Sequence, residues 1–440
     1  MTFGDSLHRS IRELFPLCRS ISGEGLRETL RYIQRQIPIK IHEVPTGTQV
    51  LDWDIPREWN IRGARIETLD GRTVVDFRDH SLHVVNYSMP VDAVVERAEL
   101  ARHVQTLPDQ PDLIPYRTGY FSDDWGFCLT QRQWDQMTDP RYHVVVDSTL
   151  EPGSVSYGEL LIQGDSDDEV LVVAHCCHPS LANDNLSGII LALELARFVQ
   201  QERQRSLSYR FLFIPGTIGS IAWLARNETK VDRIKHGLIL SCLGDEGSFH
   251  YKQSRRGDAD IDRAAAAVLR HCDEPFDVLP FSPYGYDERQ FCSPAFDLPV
   301  GCFMRSPNGT FPEYHTSGDN LDFVKPEKLE RSFQRLTEIL MLLDTDRVYA
   351  RVDGRGEPQL GRRGLYRAIS GQKEAGGVTQ MALLWVLNLA DGRHSLLDTA
   401  ERAGLPYEQI RAAAALASQA KLIVEKVPET RALKPQLRVV

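Results

Sequence analysis

The chain has 440 residues, 42% of them hydrophobic and 25% charged, with a formal net charge of −10. That length suffices for two or three domains with ample cores, and the acidic balance disfavours wholesale binding to nucleic acid or anionic membrane. Eight cysteines without scaffold spacing, no run long enough to span a bilayer, and an N-terminus lacking a signal peptide's apolar core point to a reduced cytoplasm.

Residues 5–36 read as helical, with Leu7, Ile11, Leu14 and Phe15, then Leu26, Leu30 and Ile33, at helix spacing, and SISGEGL interrupting around Gly23. From about 40 to 105 the texture changes to short alternating runs, IKIHEV, RGARIETLDGRTVVDF and LHVVNY, separated by Asp-Gly and Pro signals. This predicts an inserted β-rich domain over 41–139. Residues 110–130 add five aromatics, Tyr116, Tyr120, Phe121, Trp125 and Phe127, which serve either as core or as a pocket wall.

From 143 an α/β alternation sets in. YHVVVDSTL, ELLIQG and EVLVVAH read as strands and SGIILALELARFVQQER as a helix. SYRFLFIPG, HGLILSCLG, FDVLPF and LPVGCFMRS are further strands, with helices SIAWLARN and IDRAAAAVLRHC between them and EKLERSFQRLTEILMLLDTD closing the unit. Apolar strands that each lead into a helix imply an α/β fold: a mixed, mostly parallel sheet sandwiched by helices, built from 1–40 and 140–346. After a Gly/Arg/Pro-bearing linker, MALLWVLNLADG, SLLDTAERAGL and YEQIRAAAALASQAKLIVEKV predict three helices and a β-like end. That is a winged-helix domain over 347–440. From 351 onward 14 Lys and Arg stand against 9 Asp and Glu, yet the candidate recognition helix carries only Arg411 and Lys421. DNA reading needs more phosphate and base contacts than that, so a protein contact or homo-oligomer is the expected role of this domain.

Open α/β sheets gather ligands beyond the carboxyl ends of their strands. Four candidates fall at such ends: His175 after EVLVVA, Asp184 in the ANDNLSG turn, Asp245 after LILSCLG, and His315 in YHTSGDN. Each alone has an ordinary explanation, a helix cap or a hydrogen-bonded loop histidine, but the four together predict a zinc site.

The strings YFSDDWGFC, CHPSLANDNLSG, DERQF and EYHTSGDNLDF resemble a bacterial aminopeptidase-like family that pairs a co-catalytic zinc aminopeptidase fold with an inserted β domain and a C-terminal winged helix. The resemblance implies that His175, Asp184 and Asp245 hold one zinc ion, and that Asp184 bridges to a second held by His315. It implies amide hydrolysis of a small peptide or amide-containing specialised metabolite, with one or two zinc ions. Two positions depart from the pattern. Cys177 stands where an aspartate should orient the metal-bound histidine, beside His178, for which an alternate-ligand role competes with loop structure or substrate contact. Gly216 stands where a glutamate should act as base and ligand, which raises the alternative of a catalytically impaired homologue that binds a ligand or partner. Glu246 and Glu288 are the nearest replacement carboxylates. Tyr116, Tyr286, Asp287, Arg289, Arg305 and Tyr314 are the candidate substrate-binding residues, with internal ion pairs as the competing role of the charged ones.

Overall fold

Residues 2–365 and 380–426 are described by the structure, a computed structural model. They divide into two units, Met1–Asp262 with Glu274–Thr337, and Arg263–Asp273 with Glu338–Val440.

The principal strands of the first unit are β1 (Lys40–Pro45), β2 (Glu58–Thr68), β3 (Thr73–Asp76), β4 (Val91–Glu96), β5 (Arg141–Glu151), β6 (Ser154–Ile162), β7 (Glu169–His175), β8 (Ser208–Ile214), β9 (Ile234–Leu240), β10 (Phe249–Lys252), β11 (Phe276–Leu279) and β12 (Val300–Met304). Eight of them form one mixed sheet in the order β1-β6-β8-β7-β9-β12-β10-β11. Its centre, β8-β7-β9-β12, is parallel, and antiparallel pairs with β6 and β10 flank it. Every residue of β7 and β8 is buried, the expected result for strands covered on both faces. Arg210 in β8 is tolerated there because Glu169 accepts from its Nε at 2.6 Å and its Nη2 at 2.7 Å.

Helix α1 (Phe3–Leu14) and helix α2 (Glu24–Gln34) precede the sheet, and α3 (Gly188–Gln201) and α4 (Ile218–Asn227) follow β7 and β8. From β7 the chain steps to β8 on one side and then returns past it to β9 on the other. The carboxyl end of β7, where His175 sits, is therefore a topological switch point, the place where an open sheet leaves a crevice.

A second sheet, β3-β2-β5-β4, is antiparallel throughout and closes a core of Ile66, Val75, Leu100, Phe127, Tyr142, Val144 and Val146. Two strands change sheets relative to expectation. YHVVVDSTL, assigned to the α/β run from 140, is β5 and pairs with β2 and β4. A strand central in a small sheet reads as continuously apolar, just as a helix-covered strand does. Residues 40–45, placed at the start of the insertion, form β1 on the edge of the large sheet.

The second unit holds α5 (Gln380–Leu389), α6 (Leu396–Ala403) and α7 (Tyr407–Gln419), with the antiparallel strands β13 (Val348–Arg351), β14 (Asp391–Ser395) and β15 (Ile423–Lys426). Helix α6 starts at a capping box between Ser395 and Asp398 and stops at Gly404, whose φ of 64° suits a residue without a Cβ. Three helices and a three-stranded sheet make this a winged helix. The remainder of the expected domain, 366–379 and 427–440, lies outside the described residues. No helix among the described residues is long and apolar enough to cross a membrane.

Candidate metal centre and pocket

Strand β7 ends at His175, and the irregular turn Ala182–Ser187 brings Asp184 back over it. His175 Nε2 lies 2.8 Å from Asp184 Oδ1. Around Oδ2 stand two more imidazoles, His178 Nδ1 at 3.4 Å and His315 Nε2 at 3.1 Å. His175, His178 and Asp184 are buried, with ligand atoms all within 4.8 Å of one another. Burial alone would raise the Asp184 carboxyl. The charge of His178 and the contacts from the three imidazoles outweigh it and hold Asp184 well below the ordinary carboxylate range. Burial lowers His315, against the pull of Asp184.

The turn is held from behind. Asp319 accepts the backbone N–H groups of Asn183 at 2.6 Å and Asp184 at 2.8 Å. Asn185 Nδ2 donates to the Leu240 carbonyl at 2.9 Å and lies 3.3 Å from His175 Nδ1, so the imidazole is contacted at both nitrogens without an orienting aspartate. Asp319 belongs to the YHTSGD string but carries no role in the sequence reading; its position three residues after Thr316 was the available signal.

The fit to a metal ion rests on two atoms. Asp184 Oδ2 and His315 Nε2 are both buried, and neither has a hydrogen-bond partner of proper geometry. Unsatisfied polar atoms so placed are costly unless a shared partner beside them contacts both. Two imidazoles and one carboxylate within common reach, with a third imidazole beside the carboxylate, are a donor set suited to zinc.

Asp245 is not brought into this group. Its carboxylate accepts from Asn183 Nδ2 at 2.7 Å, Ser306 Oγ at 2.6 Å and the Gly247 N–H at 2.7 Å, and so it supports the turn through Asn183. His178, outside the expected four-ligand set and considered only as one of several roles, lies beside the other two histidines. Glu246 is exposed. Glu288 is buried against Lys252 and accepts the Tyr286 N–H at 3.1 Å, so neither glutamate is placed as a base. Arg305 is buried and tied to Glu274 at 3.0 Å and the Gly247 carbonyl at 2.7 Å, the internal role rather than a substrate contact. Arg289 is exposed and lines no pocket with the histidines. Asp287 is buried, bonded by Ser220 at 2.7 Å and pushed up to about 7 by burial. Tyr314 stacks on His315 at 4.0 Å.

Tyr286 and Tyr116 do line a pocket of about 410 Å³, together with Trp53, Arg117, Tyr120, Phe121, His178, Gly216 and His315. A Cβ at Gly216 would lie 1.9 Å from Tyr286 Cε1, so the tyrosine ring fills the space in which a side chain at 216 would start. Its hydroxyl sits 3.2 Å from both His178 Nε2 and Cys177 Sγ. Burial pushes the Cys177 thiol up to about 12 and the Tyr286 phenol well above its ordinary value. Both therefore keep their protons near neutral pH, and Cys177 is no thiolate nucleophile. Trp53 and Arg117 were missed in the sequence because neither sits in a motif; only the pocket unites them.

A family model described as a domain of unknown function (DUF4910) matches residues 8–346, and a winged helix-turn-helix model matches 347–425. A Clostridium acetobutylicum protein named "putative polysaccharide biosynthesis protein with aminopeptidase-like domain" is 45% identical over 411 residues, 93% of this chain and 94% of that one. The crystal structure of a "putative peptidase" from the same species shares 43% identity with a TM-score of 0.91 and covers 96% of each chain. The zinc aminopeptidase BSAP from Bacillus subtilis, 14% identical, matches 78% of this chain and 95% of its own with a TM-score of 0.56, a likeness of fold.

Proposed function

The chain belongs to the DUF4910 family, and on that premise we propose that its aminopeptidase-like domain is a zinc-dependent hydrolase cleaving an amide bond in a small molecule. The proposal places one zinc ion among His175, His178, Asp184 and His315. The observation that carries it is the pair of unsatisfied buried atoms, Asp184 Oδ2 and His315 Nε2, facing each other inside a ring of imidazoles. When bound, such an ion supplies Lewis acidity toward a carbonyl oxygen and a means of ionising water near neutral pH.

The chain's own groups divide the remaining work. Asp319 and Asn185 fix the turn and the His175 ring, so the ligands are preorganised before anything binds. Tyr286 Oη retains its proton and points between His178 and Cys177, where it donates a hydrogen bond to a substrate oxygen or a proton to a departing nitrogen. The amide substrate is a small peptide or a metabolite. The name of the Clostridium relative favours a building block of polysaccharide assembly.

One observation favours a second reading. Tyr286 fills the space of a side chain at 216, and no carboxylate base takes its place in the pocket. A ligand-binding homologue without turnover would have that form. The separating experiment loads the full chain with zinc and follows product release from a panel of acyl-amino-acid and acyl-amino-sugar amides. Turnover that is lost in His175→Ala and reduced about 10²-fold or more in Tyr286→Phe supports hydrolysis. Zinc binding without release from any member supports the second reading.

A further inference from the structure

An enzyme that acts on the amino end of a peptide must hold its amine, and a free carboxylate is the usual charge partner of an ammonium group. This pocket presents none. Its lining, from Trp53 through Arg117 to His315, contains no Asp or Glu. None of the buried acids nearby belongs to that lining: Asp184 sits among three imidazoles, Asp287 accepts from Ser220 through Oδ1 alone, and Glu288 is paired with Lys252.

The charge that is present has the opposite sign. Arg117 is exposed at the pocket wall, and its Nη1 donates to the carbonyl of its neighbour Tyr116 at 2.9 Å. Among the described residues no carboxylate pairs with it, whereas Arg57 is paired with Asp123. A guanidinium left free beside a concave, partly dry site is a fork for an oxyanion. The rest of the wall is largely aromatic: Tyr116 and Tyr120 share a hydroxyl contact of 2.8 Å, and Trp53 and Phe121 lie 5.4 Å apart while 44% and 63% exposed. Exposed rings that converge on a pocket offer faces to a flat or ring-shaped body.

We infer that the pocket takes an N-acylated, ring-bearing substrate with a carboxylate or phosphate, whose oxyanion is held by Arg117 and whose ring lies on Trp53 and Phe121. It does not take a substrate with a free α-amine. This inference rests on the amide-hydrolase reading of the same site, and it changes that reading from an aminopeptidase to an acyl-acid or acyl-sugar amide hydrolase.

The test measures binding rather than turnover, so the two readings fail separately. Calorimetry on the zinc-loaded full chain compares N-acetyl-L-tyrosine with L-tyrosinamide, which share a ring and differ in charge. It then compares N-acetylglucosamine 1-phosphate with N-acetylglucosamine, which isolates the phosphate. The expected result is that the anion of at least one pair binds about tenfold or more tightly than its partner. Arg117→Gln should remove that preference while leaving the melting temperature and zinc content unchanged. The pair that shows the preference identifies carboxylate or phosphate as the anchored group. Equal or tighter binding of the cation, no binding by any of the four, or an anion preference that survives Arg117→Gln overturns the inference. A preserved preference without hydrolysis of any amide leaves the inference standing and removes the hydrolase reading.

Discussion

Position 216 shows how one residue fixes another. Because a Cβ there would lie 1.9 Å from Tyr286 Cε1, glycine is required by the tyrosine ring rather than by a turn. Gly216→Ala should destabilise the fold by about 1–3 kcal/mol through overpacking, and the same change should cost little further in a Tyr286→Ala background, which is itself destabilised by loss of the ring. Urea denaturation of the single and double variants checks this; additive losses would contradict it. By the same argument Gly216→Glu does not restore a catalytic glutamate, since the side chain cannot enter without expelling Tyr286. Asp287 gives a pH-dependent prediction. Its ordinary carboxyl value is 3.8, and burial holds it at about 7 in the folded chain. Stability from this group is therefore complete below about pH 4 and is lost as pH rises through about 7. Asp287→Asn should gain on the wild type at pH 8 relative to pH 5, by on the order of 1–3 kcal/mol. The same gap at both pH values would show that the carboxyl is not perturbed. At this scale the sequence expected His175, Asp184 and His315 at one site because they follow strand ends, and the structure brings these three side chains together. The sequence could not show that Asp245 turns toward Asn183, because lone-pair partners depend on which loops meet in space.

The turn Ala182–Ser187 and the start of α3 form the element on which the site depends. Asp319 grips the turn through two N–H groups, and Asn185 ties it to the end of β9 through the Leu240 carbonyl. A Cβ at Gly188 would come within 2.5 Å of both Asn185 Oδ1 and the Leu240 carbonyl oxygen, so the helix can start there only with glycine. Gly188→Ala should cost about 1–3 kcal/mol and lower zinc occupancy, since the shift reaches Asp184. Thermal melts with elemental analysis would show it; unchanged occupancy would mean that the turn absorbs the methyl group locally. The strands and helices of the α/β run were legible because their apolar periods differ. The exchange of β1 and β5 between the two sheets was not, since an apolar run does not state which neighbours cover it.

Across the whole molecule, a site-bearing α/β unit and a winged helix occupy one chain. In α7 Arg411 is paired with Glu408 at 2.6 Å, which leaves the helix poor in free cations. We expect no salt-sensitive affinity for duplex DNA from the full chain in titrations between 50 and about 200 mM salt. Affinity that falls steeply over that range would assign the winged helix to nucleic acid instead. The central claim, one zinc ion among three histidines and Asp184, is tested most directly by metal stoichiometry. Elemental analysis of the zinc-saturated, desalted chain should give one zinc per chain, lost in His178→Ala and retained in Asp245→Asn. Two zinc ions per chain, or one that survives His178→Ala and is lost with Asp245→Asn, would contradict it.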